Sequence, residues 1–162
     1  MSSFTYRLAT PQDVQQLVEL RILMQVEVNG LTNLDVSTSY LDKVIDYFEA
    51  VVGTDKYTSV IALDGEYIIA AVGVCFYEKP PSISGGSGVV GYVTNVYTRE
   101  DYRKRGVATQ LMKDLNELAR KKRIDKLHLG ATEDGINLYK SIGYQESKFV
   151  HLELKVNSSK IN

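Results

Sequence analysis

The chain has 162 residues, 44% apolar and 24% charged, an ordinary globular composition with length enough to bury a core without staples. A net charge of −1 excludes the strong basic excess of a broad nucleic-acid footprint. One cysteine, Cys75, excludes an intramolecular disulfide, and two well-separated histidines give no metal cluster. The start, MSSFTYRLAT, lacks the apolar core of a signal peptide, and no apolar run approaches the ~20 residues that span a bilayer. A cytoplasmic protein of one domain over residues 1–162 is expected, with 157–162 a frayed tail.

Residues 4–8 alternate weakly and predict a first strand. Thr10-Pro11 follows as a helix start, Thr10 as N-cap and Pro11 in the first turn, with Asp13 suited to the positive helix end. Val14, Leu17, Val18 and Leu20 open an apolar stripe that reaches about Val28 and stops at Asn29-Gly30. After a polar stretch, Leu41, Val44, Ile45, Phe48, Val51 and Val52 recur at helical spacing, and Gly53 ends them. The period then changes. Residues 57–63 and 67–77 read as two strands joined by the hairpin signal Asp64-Gly65. Cys75 falls in the second apolar run and is expected as a buried, inert thiol. Residues 79–88 (KPPSISGGSG) read as a flexible connection, because a strand and not a helix follows.

Residues 89–98 form the next predicted strand. Val107, Leu111, Leu115 and Leu118 mark a helix to about Lys122. A short strand at 127–129, a helix at 133–142 with Gly143 as its stop, and a final strand at 149–156 complete the chain. The order β α α β β β α β α β predicts a mixed α/β domain, antiparallel in its first half and carrying a β-α-β crossover in its second.

The chemistry concentrates in residues 93–112, VTNVYTREDYRKRGVATQLM. A strand feeds a tight turn, and the turn opens a helix. Gly106 lets backbone approach a ligand, and Ala108 is nearly as small. The first helix amides have no internal partner and sit at the positive end of the dipole, so the turn suits a phosphate. Lys104 and Arg105 can add charge at its rim. The P-loop and dinucleotide glycine patterns are both absent.

Arg103-Lys104-Arg105-Gly106-Val107-Ala108 matches the Q/R-x-x-G-x-G/A acetyl-CoA motif of the GNAT superfamily. Residues 138–144, LYKSIGY, resemble that superfamily's LY-x-x-x-G-F/Y segment. Spacing and element order agree, so the resemblance covers residues 4–156. It implies a GNAT fold: a central mixed, mostly antiparallel sheet of about six to seven strands flanked by about four helices. It implies acetyl-CoA as cosubstrate, with the amides of Arg103, Lys104, Arg105, Gly106, Val107, Ala108 and Thr109 on the pyrophosphate. The pantetheine arm would pair with backbone at Val96, Tyr97 and Thr98 as an added strand does. An N–H near Val96 would receive the oxyanion, and Tyr139 would protonate the departing thiolate. Many members carry Asn where this chain has Thr132; the Thr132 hydroxyl is the candidate replacement. Family members often dimerise, so a homodimer is a further expectation.

The acceptor must lose a proton, because a lysine-like amine is only about one part in a thousand neutral at pH 7. Glu27, near the end of the first helix, is the first candidate base; the resemblance places Arg21 and Glu27 toward the acceptor cleft. Glu78 is the second, and His128 reads as a core histidine. The leading function is acetyl transfer from acetyl-CoA to a small-molecule or peptide amine, without nucleic acid or membrane as partner. A non-catalytic acyl-CoA-binding sensor or partner module is the alternative.

Overall fold

A computed structural model describes residues 3–83 and 86–156; the expected frayed tail at 157–162 lies outside them. Strand β1 (Thr5–Leu8) leads into a 3-10 turn, Pro11–Asp13, and then helix α1 (Val14–Val28). Thr10 is the N-cap, but the turn it caps is 3-10. The Asp13 carboxylate accepts from the Thr10 N–H at 2.7 Å and from its hydroxyl at 3.0 Å, closing a capping box. The same carboxylate accepts twice from Arg7, at 2.7 and 2.9 Å. Those bonds hold the buried Asp13 below the usual carboxylate range. Helix α2 (Thr38–Val51) starts on Ser37, whose hydroxyl accepts the Tyr40 N–H, and stops before Gly53, at φ +85°.

Strands β2 (Tyr57–Asp64) and β3 (Tyr67–Glu78) form the expected hairpin, and β4 (Val89–Thr98) follows antiparallel to β3. Helix α3 (Val107–Lys121) crosses to β5 (Lys126–His128), which runs parallel to β4. Helix α4 (Glu133–Ser141) comes last. The sheet order is β1-β2-β3-β4-β5.

Both faces of the sheet are covered. Leu17, Leu20, Val44 and Phe48 of α1 and α2 pack with Tyr57, Ile61, Ile68 and Ala71 on one face. Val107, Leu111, Met112, Leu115 and Tyr139 of α3 and α4 pack with Val60, Ala62, Val72, Val74 and Val93 on the other. Two covered faces explain why β3 reads as a continuous apolar run rather than an alternating one. Among the described residues no helix is long and apolar enough to cross a membrane.

Among the described residues the sheet has five strands, fewer than the six to seven expected, and residues 149–156 do not join it. Their alternation is right for a strand: Val150, Leu152, Leu154 and Val156 share one parity. All four are 82–93% exposed. Period sets which side chains share a face, but a strand exists only where a neighbour takes its N–H and C=O groups. The short β5 pairs with β4 and with no other strand among the described residues. Two smaller expectations also change. Cys75 is only partly buried, its sulfur 3.2 Å from the Tyr47 hydroxyl. His128 is half-buried at the sheet edge rather than in the core.

Candidate active site at the splayed end of the sheet

Strand β4 departs from a regular ladder twice, and both departures create the site. Toward β3, Ala71 stands opposite Tyr97 and Gly73 opposite Thr94. Asn95 and Val96 therefore share the single place facing Val72, which makes a bulge. Asn95 takes φ +53°, a left-handed conformation that Asn tolerates better than β-branched residues. Toward β5, only Val90, Gly91 and Tyr92 are paired. Beyond Tyr92 the outer edge of β4 meets no strand among the described residues, so its backbone groups are open to a ligand.

Side chains hold the bulge. The Asn95 amide oxygen accepts from Arg21 Nη1 at 2.9 Å, and its nitrogen donates to the Tyr57 hydroxyl at 3.3 Å. The Tyr57 ring crosses over Gly73, where a Cβ would overlap the phenol. Burial, ahead of every other cause, raises the Tyr57 pKa.

At its open end β4 runs through a 3-10 turn, Glu100–Tyr102, into residues 103–106 and α3. Lys104 at φ +58° and Gly106 at φ +78° bend the chain sharply. The first internal bond of α3 runs from the Gln110 N–H to Gly106 O. The amides of Val107, Ala108 and Thr109 precede it and have no acceptor within the helix, and no side chain caps this end. Space beyond Gly106 is open, so glycine is favoured here by its φ and not by crowding.

The Arg103 side chain faces inward. Its Nε donates to Thr98 O at 2.9 Å, its Nη2 to Glu27 Oε2 at 2.6 Å, and the guanidinium lies 5.4 Å from the Tyr97 ring centre. Arg105 stacks on Tyr102, and Lys104 is exposed. The hydrogen bond from Arg103, and to a lesser degree one from Tyr97, holds Glu27 below the usual carboxylate range. Burial and the Glu27 charge raise Tyr97. Glu78 ends β3 opposite Val89, five positions from Gly73, which is roughly 17 Å along a strand, and it does not share the site. His128 faces Tyr92 at the last β4–β5 pair; burial, then Lys126, lowers its pKa.

Tyr139 lies on the α3/α4 face of the sheet. It is buried in the same cluster that Val96 packs against. Its ring folds back over Gly135, where a Cβ would come within 3.0 Å of the ring, as expected of residues four apart on a helix. It sits 6.0 Å from the Tyr144 ring. The Tyr144 hydroxyl donates to Asn116, whereas that of Tyr139 has no protein partner among the described residues. Burial raises the Tyr139 pKa. Thr132 is the N-cap of α4, exposed, with no capping bond on its hydroxyl.

The Asn95 bulge and its hold by Tyr57 were not among the sequence expectations. A signal existed: Asn is depleted in strands and enriched at positive φ, and Asn95 interrupts a β-rich run.

Comparison with known proteins now bears on this geometry. Residues 26–144 match the model of the Acetyltransferase (GNAT) family. A protein from Clostridium acetobutylicum, described as a predicted acetyltransferase and solved with acetyl-CoA, superposes with TM-score 0.80 at 28% identity, covering 93% of this chain and 96% of its own. A GCN5-related N-acetyltransferase from Ralstonia eutropha JMP134 gives 0.77 at 22% identity, with 94% and 99% covered. An aminoglycoside acetyltransferase from an uncultured soil metagenomic sample gives 0.72 at 13%, with 95% and 97% covered, a likeness of fold. The chain belongs to the GNAT acetyltransferase family, whose cosubstrate is acetyl-CoA.

Proposed function

We propose that this protein transfers the acetyl group of acetyl-CoA directly to a primary amine beside the β4 bulge. One observation carries the reading: the open outer edge of β4 leads from the bulge straight to the uncapped start of α3. A strand edge suits a ligand arm rich in amides, and a helix start suits its phosphates. The residues fit the cosubstrate. Backbone at Val96, Tyr97 and Thr98 takes the arm, and amides from Arg103 to Thr109 take the pyrophosphate. Lys104 and Arg105 add charge, and the Thr132 hydroxyl supplies a further polar contact. The C. acetobutylicum relative, solved with acetyl-CoA, supports this assignment.

Acetyl-CoA supplies an activated acyl group; the chain supplies charge and proton control. A bulge N–H at Val96 meets negative charge developing on the acyl oxygen. The Tyr139 phenol, buried and with its hydroxyl unbonded among the described residues, stays protonated across the physiological range and delivers its proton to the leaving sulfur. Glu27 accepts the acceptor's proton through water. Its pairing with Arg103 keeps it ionised and so able to accept a proton. Gly106→Asp tests the donor turn. It puts a Cβ at φ +78° and a carboxylate where phosphates would sit. Calorimetry should show acetyl-CoA binding weakened at least tenfold; unchanged binding refutes the assignment.

A further inference from the structure

The arginines near the site divide by their partners. Arg99 pairs with Glu19 at 3.0 Å and Arg103 with Glu27 at 2.6 Å. Arg21, on the same helix α1 and partly buried, has no carboxylate partner among the described residues. One of its five N–H donors goes to Asn95, and the side chains one turn away, Leu17, Val18, Met24 and Gln25, are uncharged. It lies near the phenols of Tyr47 and Tyr57, whose pKa values burial raises first and the Arg21 charge only weakly opposes. Tyr47 is 43% exposed and Cys75 partly so, which leaves one side of this cluster open to solvent. A part-buried guanidinium without a counter-ion is unfavourable until an anion arrives. Its planar fork matches a carboxylate in a two-pronged contact.

We infer that Arg21, steadied by Asn95 beside Tyr57 and Tyr47, is the docking point for a carboxylate on the acceptor, making the acceptor a small amino acid. This rests on the acetyl-transfer reading above. Asn95 and Val96 are neighbours, about 3.8 Å apart at Cα. An anion held on Arg21 lies beside the residue that precedes Val96, so a short molecule carrying both a carboxylate and an amine can present the amine at the bulge. Polyamines and aminoglycosides carry no such group.

The test offers the L-amino acids, their carboxamides, spermidine and kanamycin as acceptors, with CoA release measured. At least one amino acid should show kcat/KM tenfold or more above its own amide. Arg21→Gln should bring that ratio toward one, chiefly by raising KM for the acid, and Arg21→Lys should retain part of it. Calorimetric titration of the same amino acid into the protein saturated with CoA reads binding without turnover, and Arg21→Gln should weaken it at least tenfold. The wild-type ratio needs no variant, so a misfolded variant cannot hide the answer. Amides, spermidine or kanamycin used as well as any acid overturn the carboxylate site and leave acetyl transfer standing. Acetyl-CoA binding with no turnover of any amine overturns the amine reading, and this inference with it.

Discussion

Asp13 shows how one side chain can serve as cap, counter-ion and buried polar group together. It satisfies Thr10 and Arg7 at the junction of β1 and α1. Asp13→Asn loses the ion pair and part of the capping box, and should cost about 1–2 kcal/mol in a denaturant titration. Because its folded pKa is depressed, the carboxylate's contribution is present above the unfolded value of about 3.9. It is lost as pH falls through the folded value. The wild-type advantage over the variant should therefore shrink in acid and not in base. Glu27 is depressed in the same direction by Arg103. Arg103→Gln should raise the Glu27 carboxyl pKa, read by 13C NMR; an unmoved resonance would mean that the pair does not form in solution. The Gly106 turn was legible in the sequence because glycine at a strand-to-helix junction has a local physical meaning. The partners of Glu27 and Arg21 were not. Arg103 lies 76 positions from Glu27 and Asn95 lies 74 from Arg21, so folding alone brings them together.

At the scale of elements, β4 is the part that matters most. Its bulge removes two residues from regular pairing, and its splay from β5 opens the other edge. Asn95→Ala removes both side-chain bonds and puts alanine at φ +53°, a conformation costing roughly 1–2 kcal/mol for a residue without a local polar side chain. Thermal unfolding should report that loss. Activity should fall by more than stability predicts, since the bulge N–H moves. Activity unchanged under the same conditions would show that the bulge is not part of the reacting geometry. The sequence made every helix and the five strands visible, to within a few residues, through period and glycine punctuation. It also suggested a strand at 149–156. The pattern there is sound, yet pairing is a property of two segments, and one segment cannot show whether a neighbour is in reach.

At the scale of the whole molecule, the sheet brings two helical layers to one opening. Helix α1 brings Arg21 and Glu27 to β4 and its outgoing turn from one face, and α3 and α4 bring the uncapped amides and Tyr139 from the other. The family follows from residues 26–144. We propose that Tyr139 completes acetyl transfer by protonating the leaving thiolate. The most direct measurement is CoA release against an amine panel, for wild type and Tyr139→Phe, followed chromatographically so that the partly exposed Cys75 does not consume a thiol reagent. A fall in kcat of about 100-fold in the variant, with acetyl-CoA affinity retained, is the predicted result. Full kcat in the variant at every pH would contradict it.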